Sequence, residues 1–207
     1  MIPKHLQDLV DALRILPSVG EKSAFRMALY LLEQENDAPL RLANALINAK
    51  ANVMRCEVCN ALCEERRADS KNICQICSSL DRDNSVICVV ERPSDMLAIE
   101  KNNRFNGVYH VLGGLISPIA GITPDKLSLN LLKKRVEEGE VKEIIIALGF
   151  TGEAETTIFY IQKILSGFPL TISKLAQGLS SGLEIIHADK NTLNQAIDDR
   201  KIISRSI

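Results

Sequence analysis

The sequence contains no tryptophan, and only 4% of its 207 residues are aromatic, so composition offers no platform for stacking nucleic-acid bases. Its formal net charge is −1, which excludes a globally basic nucleic-acid binder while leaving room for a local basic patch. No apolar run approaches the roughly 20 residues that span a bilayer. The N-terminal MIPKHLQDLV lacks the apolar stretch of a signal peptide. A cytoplasmic protein without membrane association is expected. No G-x-x-x-x-G-K-[ST] loop is present to cradle nucleotide phosphates, so ATP hydrolysis is not expected. His5, His110 and His187 have no partners at metal-ligand spacing; none is assigned a catalytic role, and His110, within Y-H-V-L, reads as structural. The 46% apolar and 25% charged fractions suit an ordinary globular chain, with length for one large or two small domains.

What the chain does have is six cysteines, four of them in two knuckles: C-E-V-C at Cys56–Cys59 and C-Q-I-C at Cys74–Cys77. Zinc is a borderline-soft ion that suits thiolates, and four of them close a tetrahedral shell with no open position for chemistry. A reducing compartment favours metal over two redox or disulfide pairs at this spacing. The expected cofactor is therefore one structural Zn²⁺ per chain, held by Cys56, Cys59, Cys74 and Cys77. The intervening NALCEERRADSKNI is too polar to build a core, and metal binding would supply its folding free energy, roughly 10 kcal/mol or more. Cys63 fits neither knuckle. Cys88 lies in an apolar run and reads as a small buried hydrophobe.

Before the knuckles, Leu6, Leu9, Val10, Leu13 and Leu16 have the spacing of an amphipathic helix. L-P-S-V-G-E-K-S-A follows, then a second helical stretch to Leu32. Helix, glycine-containing turn and helix resemble a helix-hairpin-helix, a motif that presents backbone N–H groups and a helix N-terminus to a DNA phosphate. Lys22 and Arg26, four apart, share a helical face. An ordinary helical hairpin with solvated charges fits these residues equally well. A third helix, from about Pro39 to Val53, carries Leu42, Ala45, Leu46, Ala49 and Val53 on one side.

After Cys77, short apolar runs alternate with helical patterns. S-V-I-C-V-V-E, G-V-Y-H-V-L, E-I-I-I-A-L and L-T-I-S-K-L read as strands. Pro93–Lys101, Lys126–Glu138 and Glu153–Leu165 read as helices, and G-G-L-I-S-P-I-A-G-I-T-P as a structured loop. The alternation predicts a small parallel sheet with right-handed crossovers. Glu91, Asp95, Glu153 and Glu155 fall at the carboxyl ends of strands, where ligands of open α/β sheets bind. Glu91 ending a V-V-E strand resembles the Toprim domain of topoisomerases and primases. Those enzymes also need an Asp-x-Asp pair after the third strand, where this chain reads L-G-F-T-G-E-A-E. Capping and solvation of the sheet edge therefore outweigh a catalytic Mg²⁺ site. Tyr30, Tyr109 and Tyr160 lie in apolar patterns, so none is placed as a nucleophile.

Taken together, L-P-S-V-G-E-K-S-A-F-R-M-A, the four-cysteine element, R-D-N-S-V-I-C-V-V-E, Y-H-V-L-G-G-L-I-S-P-I-A-G-I-T-P and A-Q-G-L-S-S-G-L-E…A-D-K-N-T-L resemble the bacterial recombination mediator family RecR along nearly the full chain. The resemblance implies an α+β fold of four parts. These are a helix-hairpin-helix module (1–54), a zinc finger (55–79), a Toprim domain (80–175) and a Walker-B-like segment with the tail (176–207). It implies a non-enzymatic protein that forms a homodimer or a homotetramer ring around single-stranded or duplex DNA. Such a protein acts with RecO, and in some settings RecF, to help RecA load onto single-stranded gaps. By resemblance Lys22 and Arg26 face DNA, while Glu91, Asp95, Glu153 and Glu155 belong to the surface that RecO approaches. The alternative is a Mg²⁺-dependent Toprim-type phosphodiester enzyme. Against the family pattern, Ser18 replaces a glycine, Glu21 a proline, Ala120 an aspartate, and Gly149-Phe150 an Asn-Pro pair. The C-terminal block keeps Gly178, Gly182, Glu184 and Asp189 but lacks a proline and one acid.

Overall fold

The computed structural model describes residues 2–34, 36–64, 71–176, 178–179, 182, 184–198 and 200, and the chain divides into two compact units, Met1–Val53 and Met54–Ile207. The first unit is helical: α1 (Lys4–Leu13), α2 (Glu21–Leu32) and α3 (Ala38–Asn52). Its core joins buried Val10 of α1 to Ala24 and Ala28 of α2, with Leu6, Leu9, Leu13 and Val19 packed around them. The two alanines, four apart, form a small-residue stripe against which α1 packs. The apolar side expected on α3 is present but uncovered. No α3 residue is buried, and Leu42 and Leu46 are 55% and 70% exposed.

A two-stranded ribbon, β1 (Val53–Arg55) and β2 (Leu62–Glu64), follows at the boundary between the units, and then a single helical turn, α4 (Gln75–Ser78). The α/β part follows as β3 (Asp83–Val90), α5 (Pro93–Glu100), β4 (Gly107–Val111), α6 (Leu129–Glu138), β5 (Glu143–Ala147), α7 (Gly152–Leu165) and β6 (Thr171–Lys174). These four strands form one parallel sheet in the order β4-β3-β5-β6. Central strands of such a sheet are covered on both faces, which is why β3 and β5 read as continuous apolar runs. Side chains alternate as a strand requires. Ile87, Val89, Val108, Ile144 and Ile146 enter the core built with Leu129, Leu132 and Val136 of α6 and Ile161 and Leu165 of α7. Cys88, Val90, Tyr109 and Val111 enter a second core with Met96 of α5 and the knuckle residues Cys56, Cys59, Ala61 and Cys74.

The expected helix over Lys126–Glu138 starts later, at Leu129. Pro124–Lys126 makes one 3-10 turn, and Leu127 leaves it in an extended conformation to bury its side chain. Helix α8 (Lys190–Asp198) is the last element described, with the Asp189 carboxylate accepting from Thr192 N at 3.0 Å and Thr192 Oγ1 at 2.6 Å. Of the expected Walker-B-like segment, Gly178, Gly182, Glu184 and Asp189 are described; positions 177, 180, 181, 183, 199 and 201–207 lie outside the described residues. So do 65–70 between the knuckles.

Candidate metal centre and nucleic-acid interface

The sulfurs of Cys56, Cys59, Cys74 and Cys77 all lie within 4.8 Å of one another, with Cys59 and Cys74 at 3.6 Å. A tetrahedron with metal–sulfur bonds of about 2.3 Å has edges of about 3.8 Å, so the spacing fits a four-thiolate metal centre. The knuckle backbones hold the sulfurs there. Cys56 N donates to Ala61 O at 2.8 Å and Asn60 N to Cys56 O at 2.9 Å, with Asn60 at φ 59°, a conformation that asparagine tolerates. Cys74 N donates to Cys56 Sγ at 3.3 Å and Cys77 N to Cys74 Sγ at 3.4 Å; bonds of this kind favour thiolate over thiol. Cys56, Cys59 and Cys74 are buried and Cys77 is half-buried. Four sulfurs so close cannot share one protonation state. Hydrogen bonds from Cys59, Cys74 and Cys77 hold the Cys56 thiol far below its usual range, and the bond to Cys56 pushes Cys59 far above it. A cation in their midst would resolve this conflict, since a bound metal displaces the thiol protons. Among the described residues this is the only group of three or more Cys, His, Asp or Glu placed to hold a metal ion. Cys63 lies on β2, outside the group. Cys88 is buried, and burial pushes its thiol up to about 12, as expected of an inert core cysteine.

The first knuckle is tied to the sheet. Val111 N donates to Cys59 O at 2.8 Å, and Asn60 Nδ2 donates to Val111 O at 2.8 Å. Strand β4 is an edge of the sheet, so the knuckle occupies backbone groups that an edge would otherwise leave open. No cysteine spacing reports this contact; a lone Asn after C-x-x-C was its one trace in the sequence.

In the helical unit, Lys22 and Arg26 are exposed on α2, on the side away from buried Ala24 and Ala28. Neither forms an ion pair among the described residues. Gly20 is the N-cap, and no side chain caps the helix, so its first-turn N–H groups remain available to an anion. Ser18 occupies the turn at φ 64°.

The four acids gather at the carboxyl end of the sheet, where Val90 and Ala147 of neighbouring β3 and β5 are in register, but each has local work. Glu91 Oε1 meets Arg92 Nε at 2.9 Å. Asp95 accepts from Arg92 N at 2.9 Å, tying down the start of α5. Glu153 accepts from Ser117 Oγ at 2.7 Å, and Glu155 lies 3.8 Å from Lys174 Nζ. The loop carrying Ser117 is held to α7 a second time, by Ile116 N donating to Thr157 Oγ1 at 2.9 Å. No three of the acids converge on one point. His5 and His187 lie near the carboxylates of Asp8 and Glu184 at the surface, while His110 is fully buried with Nε2 3.0 Å from Ser128 O.

The family model described as RecR, helix-hairpin-helix matches residues 6–50, and that of the Toprim domain matches 85–176. Among curated proteins, the chain is 45% identical to the recombination protein RecR of Parabacteroides distasonis, covering 94% of this chain and 91% of that protein. It is 42% identical to the RecR of Acinetobacter baylyi, covering 97% and 98%. Identity to the RecR of Thermobifida fusca is 43%, covering 96% of both.

Proposed function

This chain belongs to the RecR family of recombination proteins, and we propose that it is a non-enzymatic, DNA-binding mediator of recombinational repair. It acts with RecO, and in some settings RecF, to promote RecA loading on single-stranded gaps. The observation that carries the DNA contact is the start of α2, which no side chain caps, with Lys22 and Arg26 exposed on one face and without ion pairs among the described residues. N–H groups, helix dipole and two cations act together on a phosphate and carry no base information. One Zn²⁺ fills the four-cysteine cluster and supplies only structure, since four thiolates leave no open position. Glu91, Asp95, Glu153 and Glu155 form the acidic surface toward RecO. Their engagement with Arg92, the α5 N-terminus, Ser117 and Lys174 supports a binding surface over a Mg²⁺ site. Leu42 and Leu46, four apart on one side of α3 and both uncovered, support assembly into a homodimer or ring, because a neighbouring chain could cover them. The protein is proposed to work in the cytoplasm; none of the described helices is long and apolar enough to cross a membrane.

The test is charge reversal of Lys22 and Arg26 together, with DNA association followed by fluorescence anisotropy at several salt concentrations. Loss of binding at least tenfold is expected, with a shallower salt slope by about 1.8 on duplex for two lost phosphate contacts per bound chain. Unchanged binding by the folded double variant contradicts the contact. Cleavage of DNA with Mg²⁺, abolished by Glu91→Gln, would instead establish a Toprim-type enzyme.

A further inference from the structure

Helix α2 carries a third residue on the face assigned to DNA. Four residues advance a helix by about 40° beyond a full turn, so Lys22, Arg26 and Tyr30 form one row, about 12 Å long, on the side away from buried Ala24 and Ala28. Tyr30 is 62% exposed. Among the described residues its ring meets no other ring and its hydroxyl makes no hydrogen bond; its backbone carbonyl accepts from Gln34 Nε2 at 3.2 Å. The other two tyrosines are placed differently. Tyr109 is fully buried with its hydroxyl donating to Glu100 at 2.8 Å, and Tyr160 packs against the α/β core. Between Glu21 and Glu33 at its two ends, α2 carries no acid.

The members of the row recognise different things. The cations and the N–H groups at the start of α2 take phosphate, and a phosphate contact does not depend on whether the base is paired. An aromatic ring offers a face on which a base stacks. In a duplex the faces of the bases are already covered by their neighbours, so the contact is open to unpaired bases. Every base has such a face, so stacking adds affinity without sequence preference. Long side chains on a helix lean back toward its N-terminus, the end at which the cations stand.

We propose that Tyr30 is a base-stacking residue and that the row of Lys22, Arg26 and Tyr30 takes single-stranded DNA in preference to duplex, with phosphate on the two cations and an unpaired base on the ring. The inference rests on the assignment of Lys22 and Arg26 to the DNA contact and adds to it the class of DNA held. Low aromatic content excludes an extended stacking platform, but a single ring in helical register with two cations needs none.

The experiment compares full-length wild type with Tyr30→Phe, which keeps the ring, and Tyr30→Leu, which keeps apolar bulk and helix propensity without it. Each is titrated by fluorescence anisotropy onto a labelled oligothymidylate, the same strand with abasic sites, and a duplex of equal length, at several salt concentrations, with native mass measured in parallel. Tyr30→Leu is expected to bind the oligothymidylate about tenfold more weakly than wild type, and Tyr30→Phe to bind it as wild type does. The three proteins should agree on the duplex and on the abasic strand. The salt slope of Tyr30→Leu on the oligothymidylate should equal that of wild type, because no phosphate contact is lost. Equal weakening by Tyr30→Leu on all three ligands overturns the inference, as does unchanged binding of the oligothymidylate. A lower native mass for Tyr30→Leu also overturns it, by assigning the ring to contact between chains. The Lys22 and Arg26 charge-reversal variant separates the two failures. If it weakens binding while Tyr30→Leu does not, only the ring is misassigned; if it binds as wild type does, the DNA contact falls and the inference with it.

Discussion

Ser18 sits at φ 64° in the turn before α2, in the left-handed region that glycine enters freely and other residues at a cost of about 1–2 kcal/mol. Glu21 is the first residue of α2, directly after the Gly20 cap. That is the position proline favours, and here it places a carboxylate beside the helix N-terminus that would hold a phosphate. Both departures from the family pattern were visible as letters; only the backbone shows what each does. Ser18→Gly is expected to stabilise the helical unit by about 0.5–1 kcal/mol, measured by thermal unfolding. Glu21→Pro is expected to strengthen DNA binding severalfold at low salt, because a like-charged competitor is gone. Weaker binding by Glu21→Pro would argue that phosphate does not approach this terminus. His110 makes a different case. Y-H-V-L announced a strand but not the complete burial of the ring, whose Nδ1 has no partner among the described residues. Burial pushes its pKa down to about 4, opposed by the backbone contact at Ser128 and aided by the charge of Arg135. The unfolded chain therefore binds the proton first as pH falls below about 6.5, and stability declines between there and about 4. At pH 5 the loss is about 2 kcal/mol. Urea unfolding of wild type and His110→Gln at pH 7 and 5 checks it: the wild type should lose more than the variant, and equal losses would place the titration elsewhere.

Among the elements, the parallel sheet was legible because strands covered on both faces have to be continuous apolar runs, and β3 and β5 are. The cysteine centre was legible because four thiolates at knuckle spacing have few other uses. What spacing did not reveal was where the centre sits. Asn60 and the Cys59 carbonyl both engage Val111, so the knuckle covers the β4 edge and shares a core with α5. Helices pattern with themselves, and contacts between distant segments leave no periodic signal. The same holds for the start of α6, where a buried Leu127 in extended conformation overrode helical spacing. Cys74→Ser, or chelation of wild-type protein, should therefore lower the unfolding temperature of the α/β unit and not merely loosen a surface finger. Asn60→Gly, which keeps the turn and removes the clamp, is expected to cost about 1 kcal/mol. An unchanged melting transition after zinc removal would show that the sheet does not depend on the metal.

For the whole molecule, near-neutral charge is compatible with DNA binding if few phosphates are touched per chain and assembly multiplies the contacts. The proposed scaffold, joining a polyanion to a partner protein, rests on two exposed cations on α2, uncovered leucines on α3 and the acids at the carboxyl end of the sheet. Replacing Leu42 and Leu46 by serine should lower the native mass toward that of the monomer, and with it DNA retention; an unchanged mass would remove α3 from the assembly. Motif order made the family legible, whereas no local chemistry identifies the proposed mediator function. It is tested most directly by the rate of RecA assembly on gapped DNA coated with single-strand-binding protein, measured with RecO present and this protein added or withheld. The account predicts clear acceleration by the wild type, lost in the Lys22 and Arg26 charge-reversal variant and retained without any DNA cleavage. No acceleration by zinc-loaded, assembled protein would contradict it.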